Sequence, residues 1–225
     1  GSSGRYCIFL DDDYYYYYCD HLETLVSEID SFDDSIQAVY ANAFELKTSV
    51  KKTINQIVGY REGEFVLHGG YLQDFNRLRM WKTNYIPIQC ILFSRSLYLE
   101  YGGFNLQLDN LEDWNLWTRY SAITNFKYVP KTTSVYRVPL DVEESKSRMQ
   151  KLHDYYSVAL EEQQNIIVKL SVKTLVNDFS NSVELLRLSK VQEELNSIYN
   201  SRSWKITKPI RTVVSVIRKI KNKFL

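Results

Sequence analysis

An apolar run, Tyr6-Cys7-Ile8-Phe9-Leu10, ends directly in three aspartates, Asp11, Asp12 and Asp13. A short apolar run bounded by turn signals reads as a fully buried strand. In open α/β sheets, ligands bind in the crevice beyond the carboxyl ends of such strands. The aspartates therefore fall where a ligand would lie. Carboxylates there are hard oxygen donors, suited to Mg²⁺ or Mn²⁺ carrying a phosphate group. Alone, an acidic cluster is more often a solvated loop, so a functional reading needs a second constellation.

The pattern up to about residue 140 alternates strands and helices. Residues 5–10 read as the first strand. Asp20 and Glu23 have the spacing of a capping box, ahead of a helix whose stripe is Leu22, Leu25, Val26 and Ile29. A second strand is expected over 36–44, and 51–63 is ambiguous. A short strand over 64–67 is stopped by Gly69-Gly70. Residues 72–81 read as a helix, Asn84-Tyr85-Ile86-Pro87 as a turn, and 88–93 as another buried strand. A short helix over 94–101 is closed by Gly102-Gly103, where a helix end favours a residue without Cβ. A helix over 111–120 and strands over 126–129 and 133–138 complete a mixed α/β pattern.

Helix formers dominate after Pro139. One helix is expected from 143 to about 170, on a stripe of Met149, Leu152, Tyr156, Ala159 and Leu160, and another over 183–199. No heptad persists long enough for a coiled coil. The organisation expected is a domain over 1–140, a helical extension over 141–200 and a basic tail over 201–225. In that tail Arg211, Arg218, Lys219, Lys221 and Lys223 alternate with Val213, Val214, Ile217, Ile220 and Phe224. Two readings stand for it: peripheral contact of residues 205–225 with an anionic membrane surface, and an ordinary surface helix or linker.

Charge is balanced, with 28 Lys and Arg against 27 Asp and Glu. No basic excess exists to neutralise phosphates, which argues against nucleic acid as the main partner. Cys7, Cys19 and Cys90 are odd in number and lack metal-ligand spacing. Cys7 and Cys90 sit in apolar runs and read as buried thiols of a reducing compartment. His68, before two glycines, reads as a surface or structural histidine rather than a ligand.

The second constellation is Gly102-Gly103-Phe104, Leu108-Asp109, then Glu112-Asp113-Trp114, Leu116-Trp117 and Arg119. Glu112 and Asp113 fall at the start of a helix. First-turn acids stabilise a helix macrodipole by about 0.3–1 kcal/mol, which is the plain reading. The functional reading makes one of them a positioned general base.

Two acidic clusters in this order and spacing resemble the GT-A glycosyltransferases, specifically the large family 2 of inverting enzymes. The resemblance rests on Phe9 through Asp13 with Asp20-His21-Leu22-Glu23, and on Asn84-Tyr85-Ile86-Pro87. The block from Gly102 to Arg119 and Val135-Tyr136-Arg137-Val138 complete it. It implies a partial GT-A, Rossmann-like domain with a mixed sheet, followed by C-terminal helices. Asp11-Asp12-Asp13 would be the D-x-D motif, binding the nucleotide-sugar donor, with Asp11 and Asp13 holding Mn²⁺ or Mg²⁺. Asp113 would be the catalytic base, and Glu112 would orient it or touch the acceptor. Arg137 would contact the diphosphate, although an ion pair is the plainer role. Trp114 and Trp117 would wall the acceptor site, although core packing is the plainer role for both.

The resemblance departs from family pattern in places. Many members carry a further acid after the triplet, where this chain has Tyr14 and a run of tyrosines to Tyr18. The Q-x-x-R-W signature of processive polysaccharide synthases is absent, which implies transfer of one sugar at a time. The segment Ser201 to Arg211 is similar to stretches that follow glycosyltransferase domains in bacterial surface-polysaccharide clusters. A cytoplasmic enzyme, peripheral on the inner face of the membrane, acting on a glycan or glycolipid acceptor, is the implied setting. Two alternatives remain: a metal-dependent phosphohydrolase or nucleotidyltransferase, and a non-catalytic interaction or anchoring module. In the family the triplet closes a nucleotide-binding half, yet only ten residues precede Asp11 here. The resemblance therefore implies an N-terminally truncated domain, with an unpaired edge on its first strand and poor donor binding by this chain alone.

Overall fold

The computed structural model describes residues 3–11, 14–33, 35–53, 56–67 and 72–209. Asp12, Asp13, His68, Gly69, Gly70 and the tail from 210 onward lie outside the described residues. The chain divides into two compact units, Gly1–Leu175 and Val176–Leu225.

The first unit is α/β with a mixed six-stranded sheet. Its elements are β1 (Tyr6–Cys7), β2 (Tyr15–Tyr16), α1 (His21–Asp30), β3 (Ile36–Thr53), β4 (Gln56–Leu67), α2 (Arg77–Lys82), β5 (Ile91–Ser94), α3 (Arg95–Tyr101), α4 (Glu112–Ser121), β6 (Asn125–Pro139) and α5 (Val142–Gln164). The order is β1-β5-β3-β6-β2, with β4 also paired to β3. β3 runs parallel to β6 along one edge. On its other edge β5 pairs with Ala38 to Tyr40, and β4 takes over from Phe44 onward. Register shifts along β3 let this one long strand bend enough to serve three partners.

Alternation along the central strands explains why their sequences read as continuous apolar runs. Val39, Ala41 and Leu92 face α1, where they pack with Leu25 and Ile29. Ala38, Tyr40, Ile91 and Phe93 face the opposite side and pack with Leu97, Trp114, Trp117 and Tyr120. The sheet is thus covered on both faces.

Several elements differ from the sequence reading for physical reasons. The first strand shrinks to Tyr6–Cys7, because only Tyr6 and Cys7 find ladder partners, on Ser94 and Phe93. The described residues of the ambiguous stretch, 51–53 and 56–63, are strand, paired antiparallel between β3 and β4. The two strands expected over 126–138 are one, β6. Asp20 precedes α1 without a side-chain cap bond, so there is no capping box. The buried stripe of α1 is His21, Leu25 and Ile29, with Leu22 exposed. The helix starts where it does because His21 is docked: its Nδ1 lies 2.6 Å from Thr133 Oγ1 and its ring stacks on Tyr16 at 4.2 Å. Cys90 is buried, Cys7 half-buried and Cys19 exposed, and all three are free thiols.

α5 starts one residue earlier than expected. Asp141 caps it, its Oδ1 accepting from the Glu143 and Glu144 N–H groups at 2.9 and 3.0 Å. The helix belongs to the first compact unit: Tyr156 stacks on Trp114, and its hydroxyl donates to the Lys82 carbonyl at 2.9 Å. The second unit consists mainly of α6 (Val172–Asn200), longer than the expected 183–199, and α7 (Arg202–Ile206). Ser201 caps α7 through the Trp204 N–H at 3.2 Å. Among the described residues no helix is long and apolar enough to cross a membrane.

Gly102 ends α3 at φ 78° and ψ 170°, a region essentially open to glycine alone. Its carbonyl accepts from the Tyr120 hydroxyl at 2.9 Å, and the Tyr101 carbonyl from Arg119 Nη1 at 2.6 Å. The turn therefore locks α3 to α4. Gly102→Ala is expected to lower the unfolding free energy by about 1–3 kcal/mol, read from urea denaturation midpoints.

Candidate functional site

The Asp11 turn, the Asn84-Tyr85-Ile86-Pro87 segment, the start of α4 and one face of α5 line a single cleft of about 650 Å³. Each wall is fixed by local chemistry. Tyr14 N–H donates to the Asp11 carbonyl at 3.2 Å and turns the chain after β1. Asn84 Oδ1 accepts from the Ile86 N–H at 3.1 Å, holding the segment before Pro87 in a turn. The Tyr85 hydroxyl is pinned by the Asn76 backbone, accepting from its N–H at 2.9 Å and donating to its carbonyl at 3.1 Å.

Leu111, the residue before α4, sits at φ 63° and ψ 19°. Among the described residues it is the one non-glycine with positive φ. Such conformations cost about 1–3 kcal/mol and cluster at active sites and ligand clamps. Here the strain redirects the chain so that Glu112 and Asp113 begin α4 at the cleft wall. Asp113 is recessed. Its Oδ2 accepts from Asn84 Nδ2 at 2.8 Å and its Oδ1 from the Trp114 N–H at 2.7 Å. Burial, then the neighbouring Glu112 charge, push its pKa up from 3.8 to about 7, with Asp11 adding to the rise. The two hydrogen bonds oppose that shift without cancelling it.

The two acidic clusters of the sequence thus meet: Asp11, Glu112 and Asp113 line one cleft. Asp12 and Asp13 lie outside the described residues. Trp114 and Trp117 do not wall the cleft. Both are almost wholly buried, and Trp114 Nε1 donates to the Met80 carbonyl at 2.6 Å. Their rings are core, out of an acceptor's reach. Arg137 also stands away from the cleft: it pairs with Glu62 at 3.3 Å and lies over the Tyr15 ring at 5.2 Å. The ion pair is the plainer role expected of Arg137.

Sequence reasoning missed the contribution of α5. Glu144, Ser147, Arg148, Lys151 and Leu152 line the cleft, and their spacing of 3, 4, 7 and 8 residues from Glu144 marks one helical face. That spacing was a visible signal, but nothing in it says what the face looks onto. It also missed Gln89, which lies at the cleft fully buried, with neither amide atom hydrogen-bonded among the described residues. Chemically, the arrangement offers a carboxylate that exchanges a proton near neutrality, a further carboxylate suited to a hard cation, and two cations on α5.

No family model matches this chain, and no curated protein matches its sequence.

Two buried groups give opposite pH dependences of stability. Asp113 has a raised pKa, so its contribution is present below its ordinary 3.8 and is lost as pH rises through about 7. His21 is lowered by burial from 6.5 to about 4, so its contribution is present above 6.5 and is lost as pH falls towards 4. The unfolding free energy of the parent relative to Asp113→Asn should accordingly fall between pH 4 and 7. Urea titrations at five pH values check the slope. A flat difference would place Asp113 in ordinary solvent.

Proposed function

We propose that this chain carries the catalytic base of an inverting, metal-dependent glycosyltransferase, moving a sugar from a nucleotide-sugar donor to a glycan or glycolipid hydroxyl. The observation that carries the reading is Asp113, recessed in the same cleft as Asp11 with a pKa of about 7. A general base works best with a pKa near the operating pH. An ordinary first-turn aspartate on a solvated helix would lack that shift.

In this reading the acceptor hydroxyl gives its proton to a lone pair of Asp113 that Asn84 and Trp114 leave free. The acceptor oxygen bonds to the anomeric carbon from the face opposite the leaving group. The bond from that carbon to the phosphate oxygen breaks, and the electron pair leaves with the nucleoside diphosphate. A single displacement inverts the anomeric centre. Asn84 keeps the carboxylate aimed, and Glu112 keeps its pKa high. Asp11 is a hard oxygen donor open to the cleft and fits a small divalent cation. Held by Asp11 and Asp13, Mn²⁺ or Mg²⁺ would offset the diphosphate charge. The three free thiols support a reducing, cytoplasmic setting. A bacterial cell-envelope role on the inner face of the membrane is part of the same proposal and rests on the resemblance of the segment from Ser201 to Arg211.

In the protein at its natural length, Asp113→Asn should lower transfer by about 10²–10⁴-fold while donor affinity stays within a factor of a few. The parent's kcat/KM should rise with pH through about 7, as Asp113 loses its proton. Unchanged turnover in the variant would remove Asp113 from the mechanism.

A further inference from the structure

α5 contributes two cations to a cleft that Asp11, Asp109, Glu112, Asp113 and Glu144 also line. Arg148 is half-buried, and its one hydrogen bond, Nη1 to the Arg137 carbonyl at 3.2 Å, fixes the guanidinium without cancelling its charge. Among the described residues, neither Arg148 nor Lys151 makes an ion pair. Glu144, one turn before Arg148 and also at the cleft, does not bond to it, whereas Glu143 does pair with Lys146 at 2.8 Å. Arg148 and Lys151, three residues apart, project from one helical face. Two adjacent unpaired cations in a cleft are a recognition site for an anion, and a guanidinium beside an ammonium suits phosphate oxygens.

The packing of α5 indicates which substrate supplies the anion. Tyr156 of α5 stacks on Trp114 at 5.2 Å and 15°, and Trp114 directly follows Asp113. Tyr155 reaches Asp109 at 3.4 Å. The cations of α5 are thus held in register with the base, and the base acts on the acceptor.

We propose that Arg148 and Lys151 form a phosphate subsite for the acceptor, so that the molecule whose hydroxyl Asp113 deprotonates carries a phosphate ester. This rests on the glycosyltransferase reading for the word acceptor, but not for the phosphate site itself. A donor diphosphate would present the same chemistry, and the experiment separates the two sources.

The test uses the protein at its natural length, with inorganic phosphate as probe and calorimetry as readout. Saturable phosphate binding should weaken at least tenfold in Arg148→Gln/Lys151→Gln and fall with added salt. Lys151→Gln alone, at an exposed position, should weaken it several-fold with an unchanged melting temperature, which guards against a folding defect in the double variant. Phosphate affinity should be unaltered when UDP or GDP with Mn²⁺ saturates the donor site. In steady-state assays the double variant should raise KM for a phosphorylated acceptor sugar and leave the donor KM unchanged. Undiminished phosphate binding in the variants overturns the site. Displacement by nucleoside diphosphate, or a raised donor KM, assigns the cations to the donor and overturns the acceptor role. If phosphate binds through these residues but no nucleotide sugar is bound or turned over, the glycosyltransferase reading fails and takes the acceptor role with it, while the anion site stands.

Discussion

Burial of Trp114 organises the cleft. The indole is 1% exposed, donates through Nε1 to the Met80 carbonyl at the end of α2, and stacks on Tyr156 of α5. One side chain therefore joins three helices, and the residue just before it is Asp113. A large aromatic buried with its polar atom satisfied is costly to move. That is why a carboxylate can be kept in an unfavourable place. Arg119 and Tyr120 tie the far end of the same helix to the Gly102 turn. Both ends of α4 are thus held by hydrogen bonds.

The electrostatics of Asp113 come from competing effects of unequal size. A helix N-terminus favours a negative charge by about 0.3–1 kcal/mol, which is less than one pKa unit. The bonds from Asn84 and Trp114 act in the same direction. Burial and the adjacent Glu112 nevertheless prevail, and the pKa stands near 7 rather than 3.8. Strain contributes to the same outcome: the left-handed Leu111 brings both acids to the cleft wall. Helix capping by acids is a stabilising device. At this helix the arrangement instead keeps one carboxylate short of full ionisation.

Local chemistry made several features legible. The run Ile91 to Phe93 reads as buried on both faces and is so. Gly102 ends a helix because its dihedrals exclude a side chain. Glu112 and Asp113 do open α4. What failed depended on distant partners. Residues 51–53 and 56–63 are strand because β3 and β4 pair with each other, without an apolar pattern to announce it. Trp114, Trp117 and Arg137 are residue types that bind sugars and phosphates, but the plainer roles expected of them, core packing for both tryptophans and an ion pair for Arg137, are the ones they have. The helical period of α5 was visible, but the face that turns toward Asp113 is set by the Trp114–Tyr156 stack, which no local signal announces.

The separation of charges within the cleft is itself informative. Burial, Glu112 and Asp11 raise the pKa of Asp113, and neither Arg148 nor Lys151 is among the influences on it. An arginine within about 4–6 Å would lower a carboxylate by roughly 1–3 units, returning Asp113 towards its ordinary range and weakening it as a base. The cations and Asp113 share one cleft. Gln89 lies at the same cleft, but its side chain is fully buried. On the proposal of an acceptor phosphate, the acceptor would be a polar molecule that carries an anion as well as its reactive hydroxyl.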